Sequence, residues 1–430
     1  IINTAIPAIA HSLNEDPLSM HSVVVAYVLS VAACIPLSGW LADRFGVRNT
    51  FFAAIVIFTF ASLGCAFSSS LNELLTYRVI QGIGGAFLLP VGRLAMLKII
   101  PRTQFLAAMS LMSLAGLIGP LIGPTLGGWM VEYMTWHWIF LINIPMGVLG
   151  VFVTFKAMPN VKETTVKKFD FSGFILLVFA MVGLSLGIEN LANKQSAAWV
   201  SIALIITGVV ATLIYAFHAI NHQNALFRAS LFKNRIFTIG ILGNFFARFG
   251  GNALPFLLPL MLQVAFGFDP FITGLLMIPT VLGSLASKPI IRPLIQRFGY
   301  RQVLLINTLL VGVCIASFAL HTADTPTWFR LIHFFIFGVL NSLQFVSMNT
   351  LTLKDLSQQN ASSGNSFLSM IMMLSMSLGV ALAGTLVNVF TQHLGTANTL
   401  QAFNYTLLCL ASINIIAALI FWQIPKNTPI

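Results

Sequence analysis

The chain has 430 residues, of which 57% are hydrophobic and only 8% are charged. Soluble proteins carry about 25% charged residues, so a water-soluble fold of this length is excluded. The 22 Lys and Arg against 11 Asp and Glu are best interpreted as topology determinants on membrane loops. Nucleic-acid binding is not predicted, because no basic patch carries interleaved aromatic residues. The four cysteines lie in apolar runs without a CxxC or a Cys/His cluster, so neither a disulfide nor a metal site is predicted.

Fourteen transmembrane helices are predicted from the apolar runs, since one crossing of a bilayer needs about 20 residues. The first run, IINTAIPAIA, is too short, and we interpret it as the second half of a helix that begins before Ile1. Complete spans are predicted at 22–42, 51–69, 74–97, 105–131, 138–157, 172–190, 197–218, 236–266, 271–291, 303–320, 326–350, 364–390 and 401–423. The connections are short and polar, and none is a candidate soluble domain.

The basic residues predict the orientation of these spans. If alternate loops face the cytoplasm, starting with 43–50, 17 of the 22 Lys and Arg lie on that side and only Lys194 lies on the other. The remaining four lie within spans: Arg78, Arg93, Arg248 and Arg330. Because Lys and Arg favour cytoplasmic loops, both termini are predicted to be cytoplasmic.

A repeated motif divides the chain. RFGVR at 44–48 follows the second span, and RFGYR at 297–301 follows the tenth. The two copies are eight spans apart, whereas two six-helix halves would place them six spans apart. The sequence therefore predicts a parallel repeat with two inserted helices. The predicted units are a six-helix bundle at 1–157, two linker helices with flanking loops at 158–235, and a six-helix bundle at 236–430.

The first copy of the motif lies at the cytoplasmic end of the second span, in GWLADRFGVRNTF. Gly39 and Asp43 are four residues apart and share one helix face, so a neighbouring helix can approach at Gly39 while Asp43 pairs with basic groups. We expect a cytoplasmic gate that holds one conformation shut, and the alternative is a solvated turn. The residues of the gate motif are Gly39, Asp43, Arg44, Gly46 and Arg48.

The fourth span carries an arginine on a stripe of small residues. Arg78, Gln81, Gly82 and Gly85 lie at i, i+3, i+4 and i+7 on one helix face. An arginine inside a span costs about 3 kcal/mol, so it normally faces water or a partner. The alternative is that its side chain extends to the interface, as is expected for Arg330 near the outer end of its span.

The fifth span carries repeated Gly-Pro pairs, in GLIGPLIGPTLGG. Small residues at every fourth position let two helix backbones touch, and the two prolines remove hydrogen-bond donors and bend the helix. Such a helix suits an interface that opens and closes. The residues of this motif are Gly116, Gly119, Pro120, Gly123, Pro124, Gly127 and Gly128.

Together with WHWIFLINIPMG at 136–147, these motifs resemble the fourteen-helix drug:proton antiporter branch of the major facilitator superfamily, over the whole chain. The tail half, at 348–356 and 361–380, resembles a subgroup of multidrug exporters of Gram-negative bacteria. The resemblance implies an all-α membrane protein with the major facilitator fold, 14 helices arranged 6+2+6, in the bacterial inner membrane. His137 departs from the branch, which more often has Arg there.

The resemblance also implies a function, which is export of amphipathic drugs or metabolites by a rocker switch. The energy source would be the proton gradient, without a cofactor. Arg78 and Gln81 would serve proton coupling, and the Gly-Pro helix would be the antiporter motif. The branch usually has an acidic residue just before the position of INTAIP, and here it would lie upstream of Ile1. The expected partners are a small-molecule substrate, protons and the lipid bilayer, while a periplasmic adaptor is not readable from the sequence.

Polar residues within spans are candidates for the substrate cavity, because each is costly there unless it is paired or hydrated. They are Asn143, Arg248, Asn252, Gln263, Asn341, Gln344 and Asn349. Hydrogen bonding between helices is an equal alternative for each of them. Pro255 and Pro259 are expected to break the ninth span near Arg248 and to expose backbone acceptors to a cavity. His333 is expected to be a satisfied or interfacial histidine rather than a proton relay.

Two other functions are weighed against this one. Arg78 and Arg248 lie within spans while no carboxylate lies deep in one, which would favour an exporter of organic anions or of metal-chelating metabolites. A membrane-embedded transferase would need a His/Asp pair or paired carboxylates at the interface. The sequence shows no such constellation, so the protein is predicted not to be an enzyme.

Overall fold

The computed structural model describes residues 2–99, 119, 122–163, 168–192, 198–222, 224–356 and 358–425. These residues form α-helices joined by short turns and single 3₁₀ or π turns. The α-helices are α1 (Ile6–Leu13), α2 (His21–Cys34), α3 (Leu37–Phe45), α4 (Val47–Ala66), α5 (Leu71–Ile99), α6 (122–133), α7 (Trp138–Leu141), α8 (Asn143–Ala157), α9 (Phe171–Glu189), α10 (Ala198–Asn221), α11 (Arg235–Phe246), α12 (Arg248–Leu260), α13 (Pro270–Ser317), α14 (Thr327–Leu353), α15 (Gln358–Leu394) and α16 (Thr399–Trp422).

Eleven helical segments of the described residues are long and apolar enough to cross a membrane. One of them, Pro270–Leu320, contains two predicted spans, because the chain turns at Gly299 inside α13. The first helix, α1, has eight residues, and α6 is described only from residue 122. The fold is therefore the all-helical one that was predicted, while the count of fourteen spans stays a prediction.

Both copies of the repeated motif make the same turn. Gly46 joins α3 to α4 with φ 92° and ψ 149°, and Gly299 divides α13 with φ 73° and ψ 162°. Residues with a side chain rarely adopt this backbone region, so glycine is required at both positions. The repeat is thus structural as well as sequential. The division of the chain at 1–157, 158–235 and 236–430 stays a prediction.

The two predicted linker helices, α9 and α10, pack closely on each other. A Cβ atom added at Gly183 of α9 would lie 2.8 Å from the backbone nitrogen of Gly208 of α10. α9 also packs against α2 and α15, and the hydroxyls of Ser185 in α9 and Ser377 in α15 are 3.1 Å apart. α9 therefore contacts elements from both the N-terminal and the C-terminal part of the chain.

The ninth span breaks at a different place from the one predicted. The interruption lies at Ala247, between α11 and α12, and α12 continues through Pro255 and Pro259. Pro259 has no amide hydrogen, so the Pro255 carbonyl lacks its helical donor. That carbonyl accepts a hydrogen bond from the Asn3 side chain at 2.9 Å. The prolines thus free a backbone acceptor, as expected, but a partner from the N-terminal segment occupies it.

The two sides of the protein at which the helices end differ in the charge of their residues. Seven acids lie at or near helix ends on one side of the protein, which we call the acidic face: Glu15, Asp16, Glu73, Glu132, Glu189, Asp269 and Asp324. The α3–α4 turn and its basic residues lie at the opposite side, which we call the basic face.

Candidate functional site

The Gly-Pro helix α6 contacts α13 near the acidic face. A Cβ atom added at Gly128 would collide with the Pro270 carbonyl, and one added at Gly274 would collide with the Pro124 carbonyl. The Thr125 hydroxyl donates to the Gly274 carbonyl at 3.3 Å. The two backbones therefore touch, which requires that these positions carry no larger side chain.

Glu132 extends the same contact. Its carboxylate accepts a hydrogen bond from the Phe271 amide at 3.0 Å, and the Tyr133 ring lies 6.2 Å from the Phe271 ring. Phe271 is in the first turn of α13, whose amides have no partner within the helix. The carboxylate thus lies at the positive end of the α13 dipole and ties α6 to it.

The remainder of the Gly-Pro motif is described in part. Gly123 and Gly127 are buried. Gly119 is helical, and no described atom lies within 4 Å of a Cβ added there. Gly116 and Pro120 lie outside the described residues, and so does the bend predicted at the first proline.

The N-terminal segment makes a second contact with the C-terminal part of the chain. Gln263, one of the predicted cavity residues, donates to the Thr4 carbonyl at 3.0 Å. Gln263 lies in the π turn Met261–Ala265 that follows α12, next to the helix whose Pro255 carbonyl binds Asn3. The side chain of Gln263 therefore joins two parts of the chain. This contact favours hydrogen bonding within the protein, which was the alternative to a role in the substrate cavity.

Arg78 of α5 is buried between α2 and its own helix. Its Nε donates to the Val23 carbonyl at 3.0 Å, and its Nη1 donates to the side-chain oxygen of Gln81. Its guanidinium lies 4.3 Å from the centre of the Tyr27 ring, a favourable cation–π distance. Only 7% of the side chain is exposed, so it does not extend to the interface. The sequence left open whether Arg78 has a partner inside the protein or extends to the interface, and the geometry favours a partner.

The other members of the stripe complete this contact. Gln81 donates to the Ser62 hydroxyl of α4 at 2.7 Å, so the arginine is connected to a third helix. A Cβ added at Gly82 would lie 2.6 Å from the Tyr27 carbonyl, and one added at Gly85 would lie 2.7 Å from the Tyr27 hydroxyl. The glycines therefore let α2 approach α5 closely enough for Arg78 to reach it. A role in proton coupling stays a prediction for Arg78 and Gln81.

The predicted gate motif surrounds the α3–α4 turn on the basic face. The Glu163 amide donates to the Asp43 carbonyl at 3.1 Å, and the Val47 amide donates to the Val161 carbonyl at 3.0 Å. The segment 158–163, which follows α8, therefore holds the turn in place. This contact was not foreseen, because it joins residues more than 100 positions apart.

Two members of the motif differ from the expectation. No described atom lies within 4 Å of a Cβ added at Gly39, so the close helix approach predicted there is not found among the described residues. Gly46 is needed instead for its positive φ. Arg44 lies 5.3 Å from the Trp40 ring centre, and Arg48 lies 5.5 Å from a phenylalanine ring of α8. Both arginines thus cover aromatic rings at the rim.

A second buried arginine, Arg248 of α12, lies in a polar cluster with Asn349. Its Nε donates to Asn244 at 2.9 Å, and its Nη2 donates to Asn349 at 3.1 Å. Its guanidinium lies 4.2 Å from the Phe345 ring centre, and Asn244 donates to the Thr352 hydroxyl at 3.1 Å. The cluster joins α11, α12 and α14, so both candidates bond between helices.

Gln344 is likewise bonded to a neighbouring helix. Its side-chain oxygen accepts from Asn307 at 2.7 Å, and its nitrogen donates to the Thr308 hydroxyl at 2.6 Å. Both partners belong to α13. The side chain is 2% exposed, so the amide is satisfied inside the helix pair α13–α14.

The other candidates lie elsewhere. Asn341 of α14 faces α12, since a Cβ added at Gly251 would lie 2.7 Å from its side-chain oxygen. Asn252 is half-buried in α12, and Asn143 is the first residue of α8 and half-buried. The assignment of the seven residues to a substrate cavity stays a prediction.

His333 and Arg330 form part of a buried cluster near the acidic face. His333 Nδ1 and His321 Nε2 are 2.8 Å apart, so one ring donates to the other, as expected for a satisfied histidine. Burial, with His333 and Arg330 nearby, lowers the pKa of His321 to about 4. Arg330 is 2% exposed and donates to the Thr322 carbonyl at 2.6 Å and the Ala323 carbonyl at 2.8 Å. The guanidinium thus binds loop carbonyls near the acidic face, and the expected reach of Arg330 to the interface stays a prediction.

Asp170 at the start of α9 links three segments near the basic face. Its carboxylate accepts hydrogen bonds from the Gly173 amide and from His218, both at 2.9 Å, and from the Leu226 amide at 3.2 Å. Burial by itself would raise the pKa of Asp170, but these hydrogen bonds outweigh it and lower the pKa below its usual value. The carboxylate thus caps α9 and fastens α10 and the following loop to it.

Replacing Asp170 with alanine is expected to destabilise the protein by about 3 kcal/mol, because it removes a helix cap and leaves the Leu226 amide unpaired. Since folding lowers this pKa, the stabilisation is present above about pH 4 and is lost as the pH falls through the folded pKa. Melting temperatures in detergent across this range check both statements. Ser172→Ala is the control, since Ser172 also bonds the carboxylate but is exposed. Equal melting temperatures for both variants at pH 7 would contradict the assignment.

Two of these residues carry a signal in the local sequence. Asn244 lies four residues before Arg248 and therefore on the same helix face. Asp170 directly precedes an apolar run, which is typical of a helix cap. His218 had no such signal, because its bond to Asp170 spans 48 positions.

The apolar helices, the repeated turn and the close backbone contacts between early and late helices together define a polytopic membrane transporter. The chain belongs to the Major Facilitator Superfamily, whose family model matches residues 1–379 and 240–429. As predicted, the protein is a transporter and not an enzyme.

Its relatives belong to the subgroup that the tail half resembles. "Putative multidrug resistance protein MdtD" from Salmonella dublin is 50% identical over 433 residues, covering 100% of this chain and 92% of that protein. The protein of the same name from Escherichia coli O6:H1 is also 50% identical, covering 100% of this chain and 91% of its own length. The resemblance stated from the sequence is thereby confirmed.

Solved structures confirm the fold. A D-xylose-proton symporter has a TM-score of 0.68 at 16% identity, covering 99% of this chain and 93% of its own. A mutant of a peptide transporter, POT, has a TM-score of 0.71 at 14% identity, covering 98% of this chain and 90% of its own. At these identities the likeness concerns the major facilitator fold alone.

Proposed function

We propose that this protein is a proton-coupled secondary exporter of amphipathic drugs or metabolites that works by alternating access. The observation that carries the proposal is the contact between α6 and α13. At Gly128 and Gly274 the backbones meet without interdigitated side chains, so the contact can separate and re-form without repacking a core. The name of the relatives supports multidrug compounds as the substrates.

Flux measurements in proteoliposomes test this function. The purified protein is reconstituted, a proton gradient is imposed, and the movement of a fluorescent amphipathic dye is followed. We expect a flux that depends on the gradient and that a protonophore abolishes. A flux that is indifferent to the protonophore would contradict proton coupling, and no flux of any probe would contradict export.

A second candidate is export of organic anions. The bonds and ring contacts of Arg78 and Arg248 in the described residues are all with neutral groups. Two buried positive charges without a carboxylate among these partners would favour an anion. An anionic dye in the same proteoliposomes distinguishes the candidates. An exporter of organic anions should prefer this dye, whereas the first candidate function does not expect such a preference.

For localisation we propose the bacterial inner membrane, with the basic face and both termini in the cytoplasm. The 17 Lys and Arg on that side support this orientation. A reporter that is active only in the periplasm is expected to stay inactive when fused after Ile430. Strong activity of that fusion would contradict the orientation.

Replacing Asp43 with asparagine is expected to lower the transport rate about tenfold while the protein still folds, because the charge of the proposed gate is lost. The initial rate of dye flux is the measurement, and the melting temperature verifies folding. A rate equal to that of the parent would assign Asp43 to a solvated turn.

A further inference from the structure

Two adjoining cavities lie between α2, α5 and α9, and one of them is also lined by residues of α10 and α15. One, of about 660 Å³, lies at the acidic face, and the other, of about 520 Å³, runs along the three helices. They share four lining residues: Ser22, Leu75, Leu186 and Glu189. The two cavities therefore form one groove, with a mouth at the acidic face and a body inside the span. We call it the α9 groove.

The body of the α9 groove is apolar and opens sideways. Its walls include Val25 and Leu29 of α2 and Val182 of α9. Val79 and Leu186, also in the wall, are 40% and 41% exposed. Because these helices are long and apolar enough to span a membrane, their exposed apolar residues face hydrocarbon. An apolar ligand can thus reach the groove from the bilayer.

The mouth of the groove is lined by two acidic side chains. Glu189 lines both the mouth and the body, and Glu15 lines the mouth. Among the described residues that line the groove, none is Lys or Arg. Glu189 is also the one charged residue that lines the body in this part of the structure. The ionisable group at the junction of mouth and body is therefore a carboxyl group, whose ionised form a bound cation would stabilise.

His21 supplies an independent sign of a ligand. It lines the mouth, is 4% exposed, and its Nε2 has no hydrogen-bond partner in the described structure. Its Nδ1 lies 3.3 Å from the Leu18 carbonyl, and a Cβ added at Gly384 of α15 would collide with the ring. The ring is thus fixed by its neighbours while one nitrogen stays unpaired, which is costly unless a ligand or water binds it.

We propose that the α9 groove binds an amphipathic organic cation from the bilayer. The cationic group would lie between Glu189 and Glu15, and the apolar part would lie along α2, α5 and α9. A phospholipid fits less well, because its phosphate would meet the two carboxylates. Arg78, which is proposed for coupling, and Arg248, a cavity candidate, do not line the groove. The inference rests on the proposed function only for the step from binding to export.

Equilibrium binding tests this site without a proton gradient. The probe is tetraphenylphosphonium, added to the full chain in nanodiscs of phosphatidylcholine. Glu189→Gln is expected to raise its Kd at least about tenfold, which corresponds to about 1.4 kcal/mol. The Kd of the neutral analogue triphenylphosphine oxide should stay within about twofold, since it has no charge to lose. Asp324→Asn is the matched control, an exposed acid of the same face outside the groove, and should change neither value.

A second variant keeps the test valid if Glu189→Gln folds poorly. Val182→Trp fills the body and is expected to weaken the cation and the neutral analogue alike. Equal affinities for tetraphenylphosphonium in Glu189→Gln and Asp324→Asn would overturn the proposal, and so would full affinity in Val182→Trp. Loss of binding when phosphatidylethanolamine replaces phosphatidylcholine would assign the groove to a lipid and overturn it as well. Proton-driven flux of neutral or anionic dyes is measured separately, so failure here leaves the proposed function standing.

Discussion

Gly128→Ala is expected to lower proton-driven transport about thirtyfold. The added Cβ would collide with the Pro270 carbonyl, and a backbone atom cannot move aside as a side chain can. Overpacking of this kind costs about 2 kcal/mol, and a cost that falls on one conformation shifts the equilibrium between conformations by about thirtyfold. The conformation in which α6 and α13 touch would thus be nearly lost from the transport cycle.

Gly150→Ala in α8 is the matched control for this experiment. A Cβ at Gly150 would lie 3.5 Å from an Ile55 side-chain atom, which is an ordinary contact, so transport should stay within about twofold. Flux in proteoliposomes and melting temperature are measured for both variants. If Gly128→Ala transports as well as Gly150→Ala, the α6–α13 contact is a static packing contact and does not carry the proposed mechanism.

Arg78→Ala is expected to lower proton-driven flux about a hundredfold, because among the described residues no other Lys or Arg would remain between α2 and α5 to respond to a proton. Arg78→Lys is expected to be almost as defective. Lysine cannot bond the Val23 carbonyl and Gln81 in one plane while it also covers the Tyr27 ring. The loss should concern coupling, so exchange of substrate across the membrane without a gradient should be largely retained.

Arg93→Ala is the control on the same helix, since Arg93 is exposed toward the basic face, and its flux should stay within about twofold. Arg330→Ala is unsuitable as a control, because Arg330 holds the loop carbonyls of Thr322 and Ala323 and its loss would destabilise the fold. If Arg78→Ala lost gradient-free exchange to the same degree as proton-driven flux, Arg78 would have a structural role and not a coupling role.

Local sequence patterns were sufficient to predict the class of protein and the positions of most of its helices. A span of apolar residues must form a helix in a membrane, since every backbone group needs a partner there, and this depends on no distant residue. The turns at Gly46 and Gly299 were equally readable, because a helix end followed by glycine is a local property. The stripe from Arg78 to Gly85 could be placed on one face for the same reason.

The sequence by itself did not decide which surfaces meet. Helical periodicity predicts that Gly128 and Gly39 each leave room for a neighbouring helix. Only the tertiary structure shows that α13 touches α6 at Gly128 and that no described atom lies within 4 Å of a Cβ added at Gly39. Asp170 and His218 are 48 positions apart, and their bond depends on how α9 packs on α10.

The α9 groove shows the same limit at the level of a site. Glu189 lies at the end of the predicted span 172–190, and what it faces follows from α2 and α5, which lie 90 or more positions earlier. The sequence thus determined which residues lie in the membrane, because transfer of each segment into lipid depends on its own composition. The tertiary structure decided which charges are paired, which glycines are contacts and where a groove remains, because these depend on helix packing between segments that the chain does not place next to each other.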